Sequence, residues 1–381
     1  MPGDPFQCDN QAFGHSDANG ADTVKNGKWI GLAAILVVLA AGVFFGYRKW
    51  GAPDKSSRED ALALMPSDAS AVLFAEFDGL RQSPFFAQFL AWAPKPQADA
   101  DYIQFIKETG FDYERDLDHV AIAMIKRGQD SALFAILDGK FDRRKISAYA
   151  LKTGLSTKSA GREIFSVALT GSSKKISFTF LRNDRMALTN DTDLGIFLGT
   201  KKRAEDAEEW RTRFERLAGS PVFAVLRQDA AAGAALSAQA PGGLRSPQLS
   251  ALLDQLQWIT LAGKPENDRL RAVVEGECTT EATVRQLVDL LNGVVILAQA
   301  GLNDAKTRQQ LDPAAREAYL ELLRSADISK LDRGDTKSVR LVFEITPGFL
   351  EAVRHAPPAI PNSAPGKPLP RKSPPSRKGH T

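Results

Sequence analysis

The densest run of side chains able to hold a cation or move a proton is Asp112-Tyr113-Glu114-Arg115-Asp116-Leu117-Asp118-His119. Carboxylates two residues apart reproduce the spacing by which calcium loops set out oxygen ligands. The run lacks the glycine and closing glutamate of such a loop, and Arg115 stands among the acids as a competing partner. Its plainer reading is a solvated turn ahead of a strand starting at Val120. A metal-binding protein or enzyme built on segment 112–118, with Asp118 and His119 as an acid–base dyad, is the alternative.

Other chemistry is sparse. Four histidines occur, at His15, His119, His355 and His380. There is no H-E-x-x-H and no C-x-x-C, which argues against a zinc site. Phosphate-loop, dinucleotide-loop and nucleophile-elbow patterns are absent. Ser172 and Lys175 match S-x-x-K, but the serine falls in a turn between two expected strands, not at a helix start. Asn190-Asp191-Thr192 matches a glycosylation acceptor, and Asp191 reads more simply as a helix start. Cys8 and Cys278 are too few and too far apart for a disulfide framework. The residues therefore assign no catalytic, cofactor-binding or metal-binding position and no cofactor.

The elements around these residues begin with an apolar run. Trp29–Tyr47 reads WIGLAAILVVLAAGVFFGY, 19 residues without a charge. As a helix it spans about 28 Å, close to the hydrocarbon thickness of a bilayer. Trp29, Tyr47 and Trp50 sit at the two interfaces, with Lys28, Arg48 and Lys49 beside them. A polar stretch of 28 residues precedes the run, unlike the short basic start of a cleaved signal peptide. The expectation is an uncleaved, single-pass anchor with the lipid bilayer as its partner. Gly42 and Gly46 form a G-x-x-x-G pair, a candidate helix-dimer contact. Flanking charge (Lys25 and Lys28 against Arg48, Lys49, Lys55 and Arg58) favours a cytoplasmic C-terminal side. Long domains translocate largely regardless of such charge, and we expect an exported, periplasmic or extracytoplasmic domain.

Charge is uneven along the chain. The net +3 combines −2 in residues 1–28 with +5 in residues 355–381, leaving a neutral body. A neutral body argues against nucleic acid as a partner. The end of the chain carries eight prolines in 27 residues and reads as a disordered tail. The expected divisions are a polar tail (1–28), the membrane helix (29–47), a linker (48–63), a first α+β half (64–218), a second α+β half (219–354) and the Pro-rich basic tail (355–381).

Period-two patterning places strands at Ala71–Phe77, Val120–Ile125, Ser131–Leu137 and Ser338–Ile345, with a hairpin over Ile176–Leu181 and Arg185–Thr189. Trp210, Phe214 and Leu217 share one helical face, as do Val284, Leu287, Val288, Leu291 and Val295. Asp312 before Pro313 marks a helix start. Leu133–Phe141 (LFAILDGKF) and Leu270–Cys278 (LRAVVEGEC) match position by position: Leu, Ala, two aliphatics, an acid, a glycine. Each follows an expected strand and polar turn and precedes a helical stretch, from Asp142 and from Thr280. Ser70–Phe77 and Ser220–Leu226 read as matching first strands. The pattern implies one strand–helix–hairpin–helix unit used twice. Gly139 and Gly276 are expected to supply a backbone angle that other residues resist, and Cys278, in the slot of Phe141, to be a small buried apolar residue.

Two stretches, LMPSDASAVLFAEFDGLRQSP (Leu64–Pro84) and TGFDYERDLDHVA (Thr109–Ala121), resemble segments of uncharacterised bacterial membrane-anchored proteins with a domain of unknown function. The resemblance is carried by a proline–acid–alanine lead into the first strand and a short acidic link into the second. It implies an envelope protein with an exported domain and transfers no catalytic residue. The combined expectation is an α+β fold: one transmembrane helix, then two related halves with antiparallel sheet. The function expected is non-enzymatic, a membrane-anchored protein presenting a binding or scaffolding domain to an envelope partner. A cytoplasmic-facing membrane adaptor is the reading that the flanking charge favours.

Overall fold

The computed structural model describes residues 55–92, 100–128, 130–159, 161–168, 175–191, 193–199, 202–228, 254–334 and 336–355. In chain order the elements are α1 (Lys55–Leu62), β1 (Ala69–Glu76), α2 (Phe77–Leu80), α3 (Pro84–Trp92), α4 (Ala100–Thr109), α5 (Tyr113–Asp116), β2 (Leu117–Arg127), β3 (Asp130–Gly139), α6 (Arg143–Thr153), β4 (Gly154–Ser159), β5 (Arg162–Ala168), β6 (Lys175–Phe180) and β7 (Arg185–Thr189). They continue with α7 (Leu194–Leu198), α8 (Glu208–Arg216), β8 (Val222–Arg227), β9 (Leu256–Glu266), β10 (Arg269–Cys278), α9 (Glu281–Asn303), α10 (Ala305–Gln310), α11 (Pro313–Arg324), β11 (Asp327–Arg333), β12 (Thr336–Ile345) and α12 (Pro347–His355).

The twelve described strands join one antiparallel sheet in the order β11-β12-β10-β9-β8-β1-β2-β3-β7-β6-β5-β4. This overturns the expected architecture of two related strand–helix–hairpin–helix halves. The reason lies at the centre of the sheet. β1 and β8, expected to open separate halves, pair antiparallel with each other from Ala71↔Leu226 to Ala75↔Val222. Each supplies the edge the other needs, so the sheet runs through without a break. The two sides are also unequal: β4 to β7 extend one, β11 and β12 the other. No described helix is long and apolar enough to cross a membrane. Trp29–Tyr47, with Gly42 and Gly46, lies outside the described residues.

Alternation along the strands gives each face of the sheet its own core. On one face Val72, Phe74, Ala121, Ala123, Phe134, Ile136, Phe223 and Val225 pack with Trp210 and Phe214 of α8 and with Leu194 and Phe197 of α7. On the other, Phe85, Phe86 and Phe89 of α3 and Leu350 of α12 cover Ala75, Val120, Ile122 and Ala135. On that same face Ile146 and Ala150 of α6 cover Phe165 and Phe178, and Val284 and Leu287 of α9 cover Ile259 and Cys278. Helix starts follow their capping residues. Asp142 accepts from Lys145 N–H at 3.2 Å, Thr280 Oγ1 from Thr283 N–H at 3.1 Å, and Asp312 from Ala314 N–H at 2.9 Å, each meeting a donor that the first turn leaves unpaired.

Residues 55–62, expected to be linker, form α1 and dock on the sheet. Ala61 and Leu62 are buried. Arg58 donates to the carbonyls of Ala218 (2.7 Å) and Leu217 (3.0 Å). Its guanidinium lies 5.2 Å from the Phe74 ring and 4.8 Å from the Phe223 ring. Those two rings stack with centroids 5.4 Å apart, so α1 clamps the seam where β1 meets β8.

The matched glycines are needed for space, not for backbone angle; the described glycines with positive φ are Gly110, Gly128, Gly161 and Gly334. A Cβ on Gly139 would stand 2.4 Å from the Asp116 carbonyl oxygen, whereas on Gly276 it would meet a Leu256 methyl at 2.9 Å. Backbone cannot yield as a side chain can. Gly139→Ala is therefore expected to destabilise by about 2–3 kcal/mol and Gly276→Ala by about 1 kcal/mol or less. Denaturant midpoints of the two variants check this, and an equal loss in both would refute it.

Candidate functional site

Period two puts Glu275 and Glu277 of β10 on one face of the sheet, with a buried position each. Two carboxylates in a buried strand demand partners, and α8 delivers them. Its Arg213 and Arg216 stand three residues apart, on one side of the helix. Arg213 and Arg216 each donate to Glu277. Arg216 also donates to Glu275 at 3.2 Å, and Arg333, from β11, donates to the same Glu275 oxygen. Beside them two guanidiniums approach the Trp258 ring of β9, Arg213 at 4.0 Å and Arg227 at 5.1 Å from its centroid. Trp210 meets Trp258 edge-on at 4.9 Å, and Glu209 pairs with Arg227. Burial lowers the Arg213 pKa, against the pull of Glu277.

The register adds two more residues from β12: Ser338 lies opposite Glu277 and Arg340 opposite Glu275. Paired residues share a face. Ser338 is fully buried, and neither its hydroxyl nor Arg340 Nε has a hydrogen-bond partner.

The first side of the sheet carries a matching arrangement that is closed. Asp138, in the slot of Glu275, lies opposite Arg185 of β7. The pair is buried and bidentate, at 2.5 and 2.8 Å, with Asp60 of α1 a further 3.6 Å from Arg185. The row continues across the sheet, since His119 lies opposite both Asp138 and Glu76. His119 Nδ1 is buried without a hydrogen-bond partner. Burial raises the Glu76 carboxyl above its usual range, opposed by His119 and Arg58.

The acidic segment 112–118 folds otherwise than expected. It is not a solvated turn but a short helix, α5, with Asp116 buried. Asp112 caps that helix through Glu114 N–H at 3.0 Å. Asp116 accepts from the Asp112 N–H at 2.9 Å and from Arg115 at 2.7 and 2.6 Å. The Arg115 hydrogen bond holds the Asp116 carboxyl below its usual range. Asp118 lies 3.8 Å from Arg81, and burial raises its pKa. Among the described residues no group of three or more His, Cys, Asp or Glu side chains stands ready to hold a metal. Lys175 begins β6, while Ser172 and Thr192 lie outside the described residues. Asp193, rather than Asp191, caps α7, accepting from Gly195 N–H at 2.8 Å. Cys278 is buried as expected of its slot, and burial raises its thiol pKa to about 11.

Sequence reasoning passed over Glu275, Glu277, Arg213 and Arg216. The available signal was two acids alternating with apolar residues in a strand, together with two arginines on the helix face flanking Trp210 and Phe214.

No family model matches the sequence, and no curated protein matches it. Among solved structures, crystal form IV of TP0453 is 12% identical, with 79% of this chain and 99% of that chain covered and a TM-score of 0.41. Crystal form III is 11% identical, covering 77% and 98%, at a TM-score of 0.37. Crystal form I is 12% identical, covering 77% and 96%, at 0.40. Likeness at this level carries no argument about fold, location or function.

Two outcomes follow for the ionisable groups. Glu277→Gln leaves the buried Arg213 without its carboxylate, while the half-buried Arg216 keeps Glu275, and is expected to cost about 3–5 kcal/mol in denaturant titration; a neutral effect would show that the pairing contributes little. For Glu76, a raised pKa means stability present below the unfolded-state value and lost as pH rises through the folded one. Glu76→Gln is expected to raise Tm at about pH 7 and to leave it unchanged at about pH 4. A drop at neutral pH would mean that attraction to Arg58 and His119 outweighs burial.

Proposed function

We propose that this chain is a non-enzymatic, membrane-tethered protein that presents its sheet domain as a binding or scaffolding body in the cell envelope. The observation that carries the reading is the docking of α1 on the seam of the sheet immediately after the apolar segment. Seven residues, 48–54, separate Tyr47 from Lys55. Fully extended they reach about 25 Å, so the domain stays close to the bilayer. Arg58, Ala61 and Leu62 fix the end of that connector to both β1 and β8. The same short reach suits a fixed presenter better than a freely ranging domain.

The resemblance of Leu64–Pro84 and Thr109–Ala121 to membrane-anchored bacterial proteins supports an exported domain, and the flanking arginines and lysines argue the other way. Alkaline phosphatase fused after Arg354, assayed in intact cells, separates the two. Activity is expected, together with release of the chain to the soluble fraction when 29–47 is deleted. An inactive fusion, with a cytoplasmic reporter fluorescent at the same position, would overturn export in favour of the cytoplasmic-facing adaptor. Turnover of an envelope substrate, lost on replacing one polar side chain, would overturn the non-enzymatic reading.

A further inference from the structure

The cluster on β10 is not charge-balanced. Arg213, Arg216, Arg333 and Arg340 face Glu275 and Glu277, a surplus of two positive charges; the Arg227–Glu209 pair beside them is neutral. The first side of the sheet shows what balance looks like at the same positions. There Asp138 takes one arginine, the residue opposite it, through both oxygens. On the second side the residue opposite the acid is Arg340, but Glu275 Oε1 is already held by Arg216 and Arg333. Arg340 Nε is left buried and unpartnered, next to the unpartnered hydroxyl of Ser338 two residues back on the same face. A buried donor without an acceptor is unfavourable, and two of them, Arg340 Nε and Ser338 Oγ, beside surplus positive charge make a local demand for an acceptor-only, doubly negative group. The exposed part of Arg333 and the half-buried Arg340 leave the cluster open to solvent on this side.

We propose that Arg340, Ser338 and Arg333 form a binding site for a dianionic phosphate-class group, with Arg216 completing the positive surround. Guanidiniums match phosphate oxygens in geometry as well as charge, and three oxygens give the Ser338 hydroxyl and Arg340 Nε the acceptors they lack. The proposal goes beyond the tethered-scaffold reading and stands whichever way the chain faces. A phosphate monoester in solution and a lipid phosphate headgroup offer the same chemistry.

The test uses the full chain in detergent micelles, melted with and without inorganic phosphate at constant ionic strength. Phosphate is expected to raise the wild-type Tm in a saturable way. Arg340→Gln is expected to weaken the apparent phosphate affinity at least about tenfold, and Ser338→Ala to weaken it less. Arg340→Gln is also expected to leave the phosphate-free Tm unchanged or higher, because it removes surplus charge; a residue serving the fold alone would lower it. Phosphatidylcholine vesicles in a buffer free of inorganic phosphate, with and without phosphatidic acid as the phosphomonoester lipid, form the second arm. An Arg340-dependent rise there assigns the group to a lipid, and a rise with inorganic phosphate alone assigns it to a soluble ester. The absence of any Arg340-dependent rise in both arms, with the variant folded, would overturn the site.

Discussion

The antiparallel pairing of β1 with β8 is the constraint on which the rest of the molecule depends. Five residue pairs, Ala71↔Leu226 to Ala75↔Val222, join what would otherwise be two separate sheets with exposed edges. At one end of the seam a small pair, Ala75 with Val222, faces one side and an aromatic pair, Phe74 with Phe223, faces the other. Ala75 and Val222 let the phenylalanines of α3 approach closely, while Phe74 and Phe223 stack under Arg58. The seam therefore sets where α1 sits, and α1 sets how the folded body connects to the apolar segment before it. A hydrogen-bonded ladder supplies direction, and the packed rings supply most of the free energy, since each buried aromatic is worth about 2–3 kcal/mol of transfer.

The charged residues of the interior divide into two kinds. Asp138 with Arg185 is a closed pair in which every strong acceptor meets a donor. Glu275 and Glu277 instead gather arginines from three elements around two acids. A closed pair fixes a register between neighbouring strands. An open cluster keeps surplus charge at a defined place, and the proposed anion site rests on that surplus. The two arrangements occupy corresponding positions, so the fold itself supplies the comparison.

Much of the local structure was legible in the residues. The strands at Val120, Ser131 and Ser338 show plain alternation, and Asp142, Thr280 and Asp312 cap the helices they precede. The likeness of LFAILDGKF to LRAVVEGEC also named two strands that carry an inward acid and a close-packed glycine. What was not legible was long-range. Nothing in Ser70–Phe77 or Ser220–Leu226 says that these strands pair with each other, because period-two patterning specifies faces and not neighbours. The same limit hid the cluster. Arg213 and Arg216 look like the polar side of an amphipathic helix until β10 is placed beneath them. The short helix α1 was missed because its Lys-Ser-Ser start has weak propensity and its order comes from tertiary packing.

The seam also dictates an order of events. Leu73 and Ala224, at its centre, pair across 151 residues of chain. During synthesis β1 to β7 all emerge before β8, so the first seven strands can find their sheet partners while β1 keeps a bare edge. A bare, apolar strand edge is the feature most prone to pair with the wrong chain. Arrival of β8 both closes that edge and brings Phe223 beneath Arg58. Pairing at such separation is slow by the entropy of loop closure. Until that pairing forms, the β1 edge is open to wrong partners, and the proposed tether would keep such edges on neighbouring chains apart.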